Sequence, residues 1–277
     1  MEPLRLVTIN TGKCDGPYRA RISWLVEEVS KLRPDVLACQ EVFREAEGDR
    51  DSLEALGRGL GMHAAWAPAR FKQRCSEGDP VEGWSGMALF SRRPWTYVDV
   101  VDLPSDPRDG DRVAQVGLLE IEQGSVVIAN VHLTHLRDAD ELRRRQIRAV
   151  LSHPLLGMRQ ALRVVCGDLN SPSDGVFMTQ LLNAEDAPHL LDCYLAGQGE
   201  LDRATLPPRA ELATRPCVDY ILSVADAPQQ HPIFASSAVV LKTPDPTTGA
   251  LPSDHYGVAT TLMPLRIQSW RQEHSFV

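Results

Sequence analysis

No run of consecutive apolar residues in this sequence approaches the ~20 needed to cross a bilayer as a helix, which excludes a helical membrane span. None of the six cysteines stands at CxxC spacing, which argues against a structural zinc site. Cys39 and Cys166 lie inside apolar runs and read as plain core residues. Positive charge is not in excess either. The formal net charge is -8, which excludes a protein that coats nucleic acid by charge alone. It does not exclude a nuclease, because a bound metal supplies local positive potential inside an acidic chain. No internal repeat of roughly 20–50 residues is present. The hydrophobic share of 43% and charged share of 24% leave no ground for disorder, collagen or coiled coil. The opening MEPLRLVTIN has neither the basic segment nor the apolar stretch of a secretory signal, so the expected setting is reduced and cytoplasmic.

Strand-like apolar runs cover 4–9, 36–39, 87–90, 113–121, 126–131, 162–166, 218–224 and 258–263. Several are continuous rather than alternating, as in strands buried on both faces. Between them lie helical patterns. In 18–32, Ile22, Leu25, Val26 and Val29 recur at helical spacing and Pro34 marks the stop. In 138–151, Leu142, Ile147, Val150 and Leu151 oppose Arg143, Arg144, Arg145 and Arg148, a basic face read as solvated. A third helix is expected after Pro172, with Asp174 near its cap and Val176, Phe177, Leu181 and Leu182 as its apolar residues. From 87 to 131 strands follow one another without a helix, which favours mixed sheets over a purely parallel one. Stretches 74–84, 104–111, 204–216 and 243–253 are rich in Pro, Gly and Asp and read as long loops. No domain boundary stands out, so 1–277 is taken as one domain with a short tail at 265–277.

Polar residues able to do chemistry stand where apolar runs end. Asn10 follows the first run, Gln40 and Glu41 the second, His132 the fifth, and Asp168 and Asn170 the sixth. Asp219 opens the seventh, and Asp254 and His255 precede the last. Strand ends form the rim of a sheet, where polar groups converge on a cleft while the strands hold them rigid. Each signal has a plainer alternative. Residues 167–170 (GDLN) read as a turn slightly ahead of a strand end, and 253–255 (SDH) as a capped loop. If 168–170 is extended, Asp168 and Asn170 share a face and Leu169 anchors the other. Glu41 alone is a solvated carboxylate and His132 alone a structural histidine. Their joint occurrence in one order, each at a strand boundary, outweighs these alternatives.

The stretches 8–10 (TIN), 35–41 (DVLACQE), 86–92 (GMALFSR), 130–133 (NVHL), 167–170, 219–222 (DYIL) and 253–255 resemble, in order, the motifs of the endonuclease/exonuclease/phosphatase superfamily, the deoxyribonuclease I-like fold. The resemblance spans residues 8 to 255. With the mixed element order it implies an α/β (α+β) protein, a four-layer αββα sandwich of two packed mixed sheets flanked by helices. It implies a metal-dependent phosphoester hydrolase of the phosphodiesterase or nuclease kind. Glu41 would be the principal metal ligand, with Asn10 and Asp254 beside it. Asp168 would orient or deprotonate the attacking water, and Asn170 would hydrogen-bond the phosphoryl group or nucleophile. Asp219 would hold His255, which would stabilise charge on the phosphate, with His132 as a second histidine there. Hard oxygen ligands suit Mg²⁺ or Mn²⁺. The substrate would be a phosphoester, either nucleic acid or a small or lipid diester, with a phosphomonoester as a further alternative, and no obligate protein partner is indicated. Abasic-site and inositol-phosphatase signatures are absent around His132 and Asp219.

Other residues carry weaker signals. His135 is read as structural or peripheral, Arg112 as solvated, and Trp84 as a stacking or packing residue. Ser85 in the sequence Gly83-Trp84-Ser85-Gly86 suggests a serine nucleophile, but that pattern needs a glycine where Met87 stands. A non-catalytic binding protein would show a broken metal or base position, and none is broken here.

Overall fold

The first strand, β1 (Leu4–Asn10), is followed by α1 (Tyr18–Leu32), β2 (Val36–Glu45), α2 (Ser52–Leu60), β3 (His63–Ser76), β4 (Asp79–Ser91), β5 (Tyr97–Asp106), β6 (Gly110–Ile121) and β7 (Gly124–His132). Then come α3 (Asp140–Leu151), α4 (Pro154–Gly157), β8 (Leu162–Asp168), α5 (Val176–Leu182), β9 (His189–Asp192), α6 (Cys193–Ala196), β10 (Asp219–Ala225), β11 (Ile233–Val240) and β12 (Gly257–Met263). This computed structural model describes residues 2–185, 188–208 and 215–265. The tail beyond 265 and part of the loop expected at 204–216 lie outside the described residues. Among the described residues no helix is long and apolar enough to cross a membrane.

The strands form two six-stranded sheets, ordered β11-β12-β1-β2-β4-β3 and β5-β6-β7-β8-β10-β9. Each is antiparallel except at one central pair, β1 with β2 and β7 with β8. A parallel pair requires a crossover, which α1 supplies in the first sheet and α3 with α4 in the second. The two strands of each pair therefore end on one rim, with Asn10 beside Gln40 and His132 beside Asp168.

Side-chain alternation turns these strands into a four-layer sandwich. Leu4 and Leu6 of β1, Val36 and Ala38 of β2, Val126 and Ile128 of β7, and Leu162, Val164 and Cys166 of β8 pack between the sheets. The intervening Val7, Ile9, Leu37 and Cys39 meet Ile22, Leu25 and Val29 of α1 and Leu56 of α2. Val127, Ala129, Val131 and Val165 meet Ile147 and Val150 of α3 and Phe177 and Met178 of α5. The continuous apolar runs thus bury both faces, as expected. Each fully buried Leu, Ile or Val contributes roughly 1.5–3 kcal/mol relative to exposure.

Several local expectations are corrected. The stretch 74–84 is not a loop. It lies in the β3–β4 hairpin, which turns at Glu77 and at Gly78 with φ +92°. The stretch 104–111 is likewise mostly strand, within the β5–β6 hairpin. Arg143 does not join a solvated basic face. It is buried against the core, donating to Asp140 Oδ1 at 2.8 Å and to the Leu136 carbonyl at 2.5 Å. The helix after Pro172 does form, with Gly175 at its N-cap and Asp174 next to it, as expected.

Gly167, the penultimate residue of β8, aims Asp168. Its φ is +132°, and a Cβ there would lie 2.1 Å from the Val131 carbonyl oxygen of the neighbouring strand. A side chain is excluded both by backbone conformation and by the close approach of β7. Gly167→Ala is expected to destabilise the protein by at least ~2 kcal/mol in chemical denaturation. Wild-type stability would show that β8 and β7 do not approach this closely.

Candidate active site

Towards the rim, the face between the sheets changes from apolar to polar on every central strand. β1 continues from Leu6 to Thr8 and Asn10, β2 from Ala38 to Gln40, β7 from Ile128 to Asn130 and His132, and β8 from Cys166 to Asp168. These groups, nearly all buried, must find partners, because an unpaired buried polar group costs ~1–3 kcal/mol. Most find them within or across the sandwich, although Gln40 Oε1 has none among the described residues. Gln40 Nε2 donates to Asn130 Oδ1 at 2.7 Å and to Thr8 Oγ1 at 3.0 Å. Asn130 Nδ2 donates to the carbonyls of Cys39 at 2.9 Å and Ala88 at 3.1 Å. Asn10 Nδ2 donates to Asp168 Oδ2 at 3.0 Å.

Above this layer opens a cleft of about 270 Å³, lined by Asn10, Glu41, His132, Asp168, Asn170, Asp254 and His255. Seven of the eight residues to which the resemblance gives a role therefore meet in one place. The eighth, Asp219, lies buried behind His255, its Oδ2 2.9 Å from Nδ1 of that imidazole. Glu41 reaches the cleft by a device the sequence does not announce. β2 does not end there but runs on to Glu45, and its pairing with β4 shifts between Cys39 and Val42. Within this bulge Glu41 has φ 54°, so its side chain is re-aimed while Val42 returns to the helix-side core. Asn170 is also left-handed, at φ 50°, and its N–H donates to Asp168 Oδ1 at 2.8 Å. The segment thus combines a strand end at Asp168 with the turn that its composition suggests. Leu169 between them is buried in the helix-side core, as the extended reading required.

The loop after β1 closes one wall. Arg21 of α1, 6% exposed, donates to the carbonyls of Thr11, Gly12, Lys13, Asp15 and Pro252. It thereby ties this loop to the segment bearing Asp254. Ser253 Oγ donates to the Asn10 carbonyl at 2.5 Å. Gly12, at φ +64°, leaves room for Asp254 Oδ1, which a Cβ would meet at 2.7 Å. Lys13 Nζ lies 2.5 Å from Glu41 Oε1.

Burial sets the proton affinities. It pushes the Asp168 carboxyl up, and the nearby Asp219 charge adds to the effect, to about 6. Burial alone would lower His255, but the charge and hydrogen bond of Asp219 outweigh it and hold the imidazole at about 10. His132 goes the other way, well below its ordinary value, through burial and then the charges of Arg112 and Lys13. The cleft therefore pairs a charged histidine with a neutral one. His132 Nε2 lies 3.6 Å and His255 Nε2 4.0 Å from Asp168 Oδ2.

Two ligand sets present themselves for a divalent ion. Ligand-type atoms of Asp168, Asp219 and His255 lie within 4.8 Å of one another. Asp219 Oδ2 and His255 Nδ1 are, however, already joined by a hydrogen bond that occupies both atoms. Asn10, Glu41 and Asp254 offer an amide oxygen and two carboxylates, the hard donors that Mg²⁺ or Mn²⁺ takes. The Lys13 ammonium at Glu41 shows that positive charge is accommodated at that carboxylate.

Sequence reasoning passed over several cleft residues. Arg112 is not solvated but 7% exposed, whereas His135, read as structural or peripheral, is an exposed residue at the edge of the cleft. Both contact Asp109, as does Arg70 of β3. Trp84 is exposed and packs edge-on against Phe71 at 5.3 Å, outside the residues lining the cleft. Ser85 lines the cleft, and its hydroxyl accepts from Arg74 Nη2 at 3.4 Å. Asp109 was recoverable only through the recognition that 104–111 is a hairpin. Although burial opposes it, the bonds from Arg112, Thr134 and Arg70 hold its carboxyl well below the usual range.

A carboxyl whose pKa is lower in the folded chain stabilises in full above its unfolded value, about 3.9, and loses that contribution as pH falls towards the folded pKa. Asp109→Asn, which leaves buried Arg112 unpaired, should cost ~3–5 kcal/mol at pH 7. The gap to wild type should narrow below about pH 4. Denaturant titrations at pH 7 and pH 3 read both values. An equal gap at the two pH values would contradict the assignment.

The endonuclease/exonuclease/phosphatase family model matches residues 7–255. No curated protein matches the sequence significantly. Solved structures with the same fold include a family protein from Leptotrichia buccalis C-1013-b, at 16% identity and TM-score 0.71, covering 94% of this chain and 99% of that one. D. rerio TDP2 complexed with single-strand DNA product aligns at 18% identity and TM-score 0.71, covering 95% and 100%. The human Nocturnin catalytic domain with bound sulfate aligns at 21% identity and TM-score 0.70, covering 95% and 93%. With its two packed mixed sheets and a matched span that runs from the first strand to His255, the chain belongs to the endonuclease/exonuclease/phosphatase family.

Proposed function

We propose that this chain, as one catalytic domain over 1–277, is a divalent-metal-dependent phosphodiesterase of the nuclease-like kind. The observation that carries the proposal is the convergence of Asn10, Glu41, His132, Asp168, Asn170, Asp254 and His255 on one cleft, with Asp219 behind His255. Family membership supports phosphoester hydrolysis. The DNA product in D. rerio TDP2 and the sulfate in human Nocturnin are phosphate or phosphate-like ligands of the same fold.

Asn10, Glu41 and Asp254 would hold Mg²⁺ or Mn²⁺, competing with Lys13 for the Glu41 oxygen. A bound ion supplies charge neutralisation at the phosphoryl oxygens and lowers the pKa of water. The other roles fall to the chain's own groups. Asp168 accepts from Asn10 Nδ2 through one oxygen and from the Asn170 N–H through the other, so its carboxylate is fixed in place. Its pKa near 6 leaves it ionised at neutral pH, and basic enough to take a proton from water. His255, kept charged by Asp219, presents Nε2 as a donor to a phosphoryl oxygen. His132 is neutral and can accept or donate a hydrogen bond at the leaving oxygen. Asn170, held by the Leu133 carbonyl at 2.9 Å, offers its second amide hydrogen to the substrate. Catalysis then rests on positioning and charge rather than on a protein nucleophile. Lipid or small-molecule diesters form the alternative substrate class within the same chemistry.

The test is a hydrolysis panel in Mg²⁺, Mn²⁺ or EDTA. It contains single- and double-stranded DNA, RNA, bis(p-nitrophenyl) phosphate, a phosphomonoester and sphingomyelin. Activity on at least one diester is expected, to be abolished by EDTA. On that substrate Asp168→Asn should lower kcat by ~10²–10⁴-fold. Activity that survives EDTA, or wild-type kcat in Asp168→Asn, would sink the metal-dependent or the base assignment respectively.

A further inference from the structure

One wall of the cleft carries charge that attack on a single phosphodiester does not require. Arg70 and Arg74 from β3 and Arg112 from β6 line it together. Arg112, 7% exposed, grips Asp109 through Nε at 3.0 Å and Nη2 at 2.8 Å. The same carboxylate takes Arg70 Nη2 at 3.1 Å and lies 2.8 Å from His135 Nδ1. One buried carboxylate thus serves two guanidiniums, and a positive charge is left over. The crowding is felt, for Arg70 has a lowered pKa, from burial first and the charge of Arg112 second. Arg74 is less committed. Among the described residues its Nε is buried without a hydrogen-bond partner, and its Nη2 reaches only Ser85 Oγ at 3.4 Å. The carboxylate of Asp111 also lines this side but is solvent-exposed, and Arg70 bonds that residue through its backbone carbonyl at 2.7 Å.

This wall lies beside the residues that would handle the scissile group, since the charges of Arg112 and Arg70 both help to lower the His132 pKa. Lys13 and His255 already have partners of their own, Glu41 and Asp219. Arg112 joins the two regions, since its Nη1 lies 3.4 Å from the His132 carbonyl. Arg112 and Arg70 spend their Nε and Nη2 donors on protein oxygens, which fixes both guanidinium planes and leaves Nη1 hydrogens to meet the oxygens of a phosphoryl group. In a chain with a formal net charge of -8, such a concentration of arginine in a cleft selects for an anionic ligand.

We infer that the Arg70–Arg74–Arg112 wall binds a second phosphoryl group of the substrate, beside the one that is hydrolysed. The inference rests on the proposed hydrolase reading for which group is scissile. It narrows the substrate to phosphoesters bearing at least two neighbouring phosphoryl groups, in a polynucleotide or a phosphoanhydride. It disfavours diesters whose sole anionic group is the scissile one, sphingomyelin among them.

Calorimetric titration in EDTA, with no turnover, tests this apart from catalysis. The probes are inorganic phosphate, inorganic pyrophosphate, and a thymidylyl dinucleotide with and without a 5′-phosphate. The proteins are wild type, Arg70→Gln, Arg74→Gln and, as a control for lost surface charge, Arg148→Gln on the exposed side of α3. At least one two-phosphate probe should bind wild type about ten-fold or more tighter than its one-phosphate counterpart. Arg70→Gln or Arg74→Gln should remove most of that gain, and Arg148→Gln should keep it. A gain with pyrophosphate marks directly linked groups, and a gain with the dinucleotide marks groups at nucleotide spacing. No gain with either pair, or a gain that survives both cleft variants, overturns the inference. Neither result bears on whether the hydrolysis panel finds activity.

Discussion

Everything at the cleft depends on a layer of hydrogen bonds that joins the two sheets where their apolar contact gives out. Gln40 with Asn130 and Asn10 with Asp168 cross from one sheet to the other. An unmet partner in this layer would leave a buried amide or carboxylate desolvated, which is far more expensive than the bond itself is worth. The layer therefore fixes the distance and register of the sheets at the rim. It also sets the floor on which the reactive groups stand. Asp168 belongs to both, as a member of the cross-sheet layer and as a cleft carboxyl whose proton affinity burial raises.

Topology makes that convergence possible. The two parallel pairs at the sheet centres send β1, β2, β7 and β8 out on one rim, so Asn10, Gln40, His132 and Asp168 arrive together. Antiparallel β10 and β12 start from that same rim and bring Asp219 and the segment before Gly257 back to it. Charge is then distributed in pairs: Lys13 with Glu41, His255 with Asp219, Arg112 with Asp109. The positive partners explain how an acidic chain keeps a cleft suited to anions.

The sandwich and the chief site residues were legible because buried strands leave continuous apolar runs, and their polar ends stand out against them. Asn10, His132, Asp168 and Asp219 all read this way. Glu41 was found for the right reason but with the wrong local picture, since a bulge rather than a strand end turns it inwards. β3 and the start of β4 were missed because they are largely solvent-facing, and Arg70 and Arg74 went with them. Arg143, read as part of a solvated face, shows the converse error, and Arg21 is a second buried arginine of the same kind. An arginine on the inner face of a helix looks like a flaw in the periodicity, until its guanidinium is seen to satisfy backbone carbonyls that nothing else could reach.

The central claim is that Glu41, re-aimed by the bulge, holds the ion on which hydrolysis depends. A calorimetric titration of Mn²⁺ into wild type and Glu41→Gln tests it most directly, with unfolding monitored in parallel. The account predicts saturable binding by wild type that is lost or greatly weakened in a variant that remains folded. Undiminished Mn²⁺ binding by folded Glu41→Gln would contradict it.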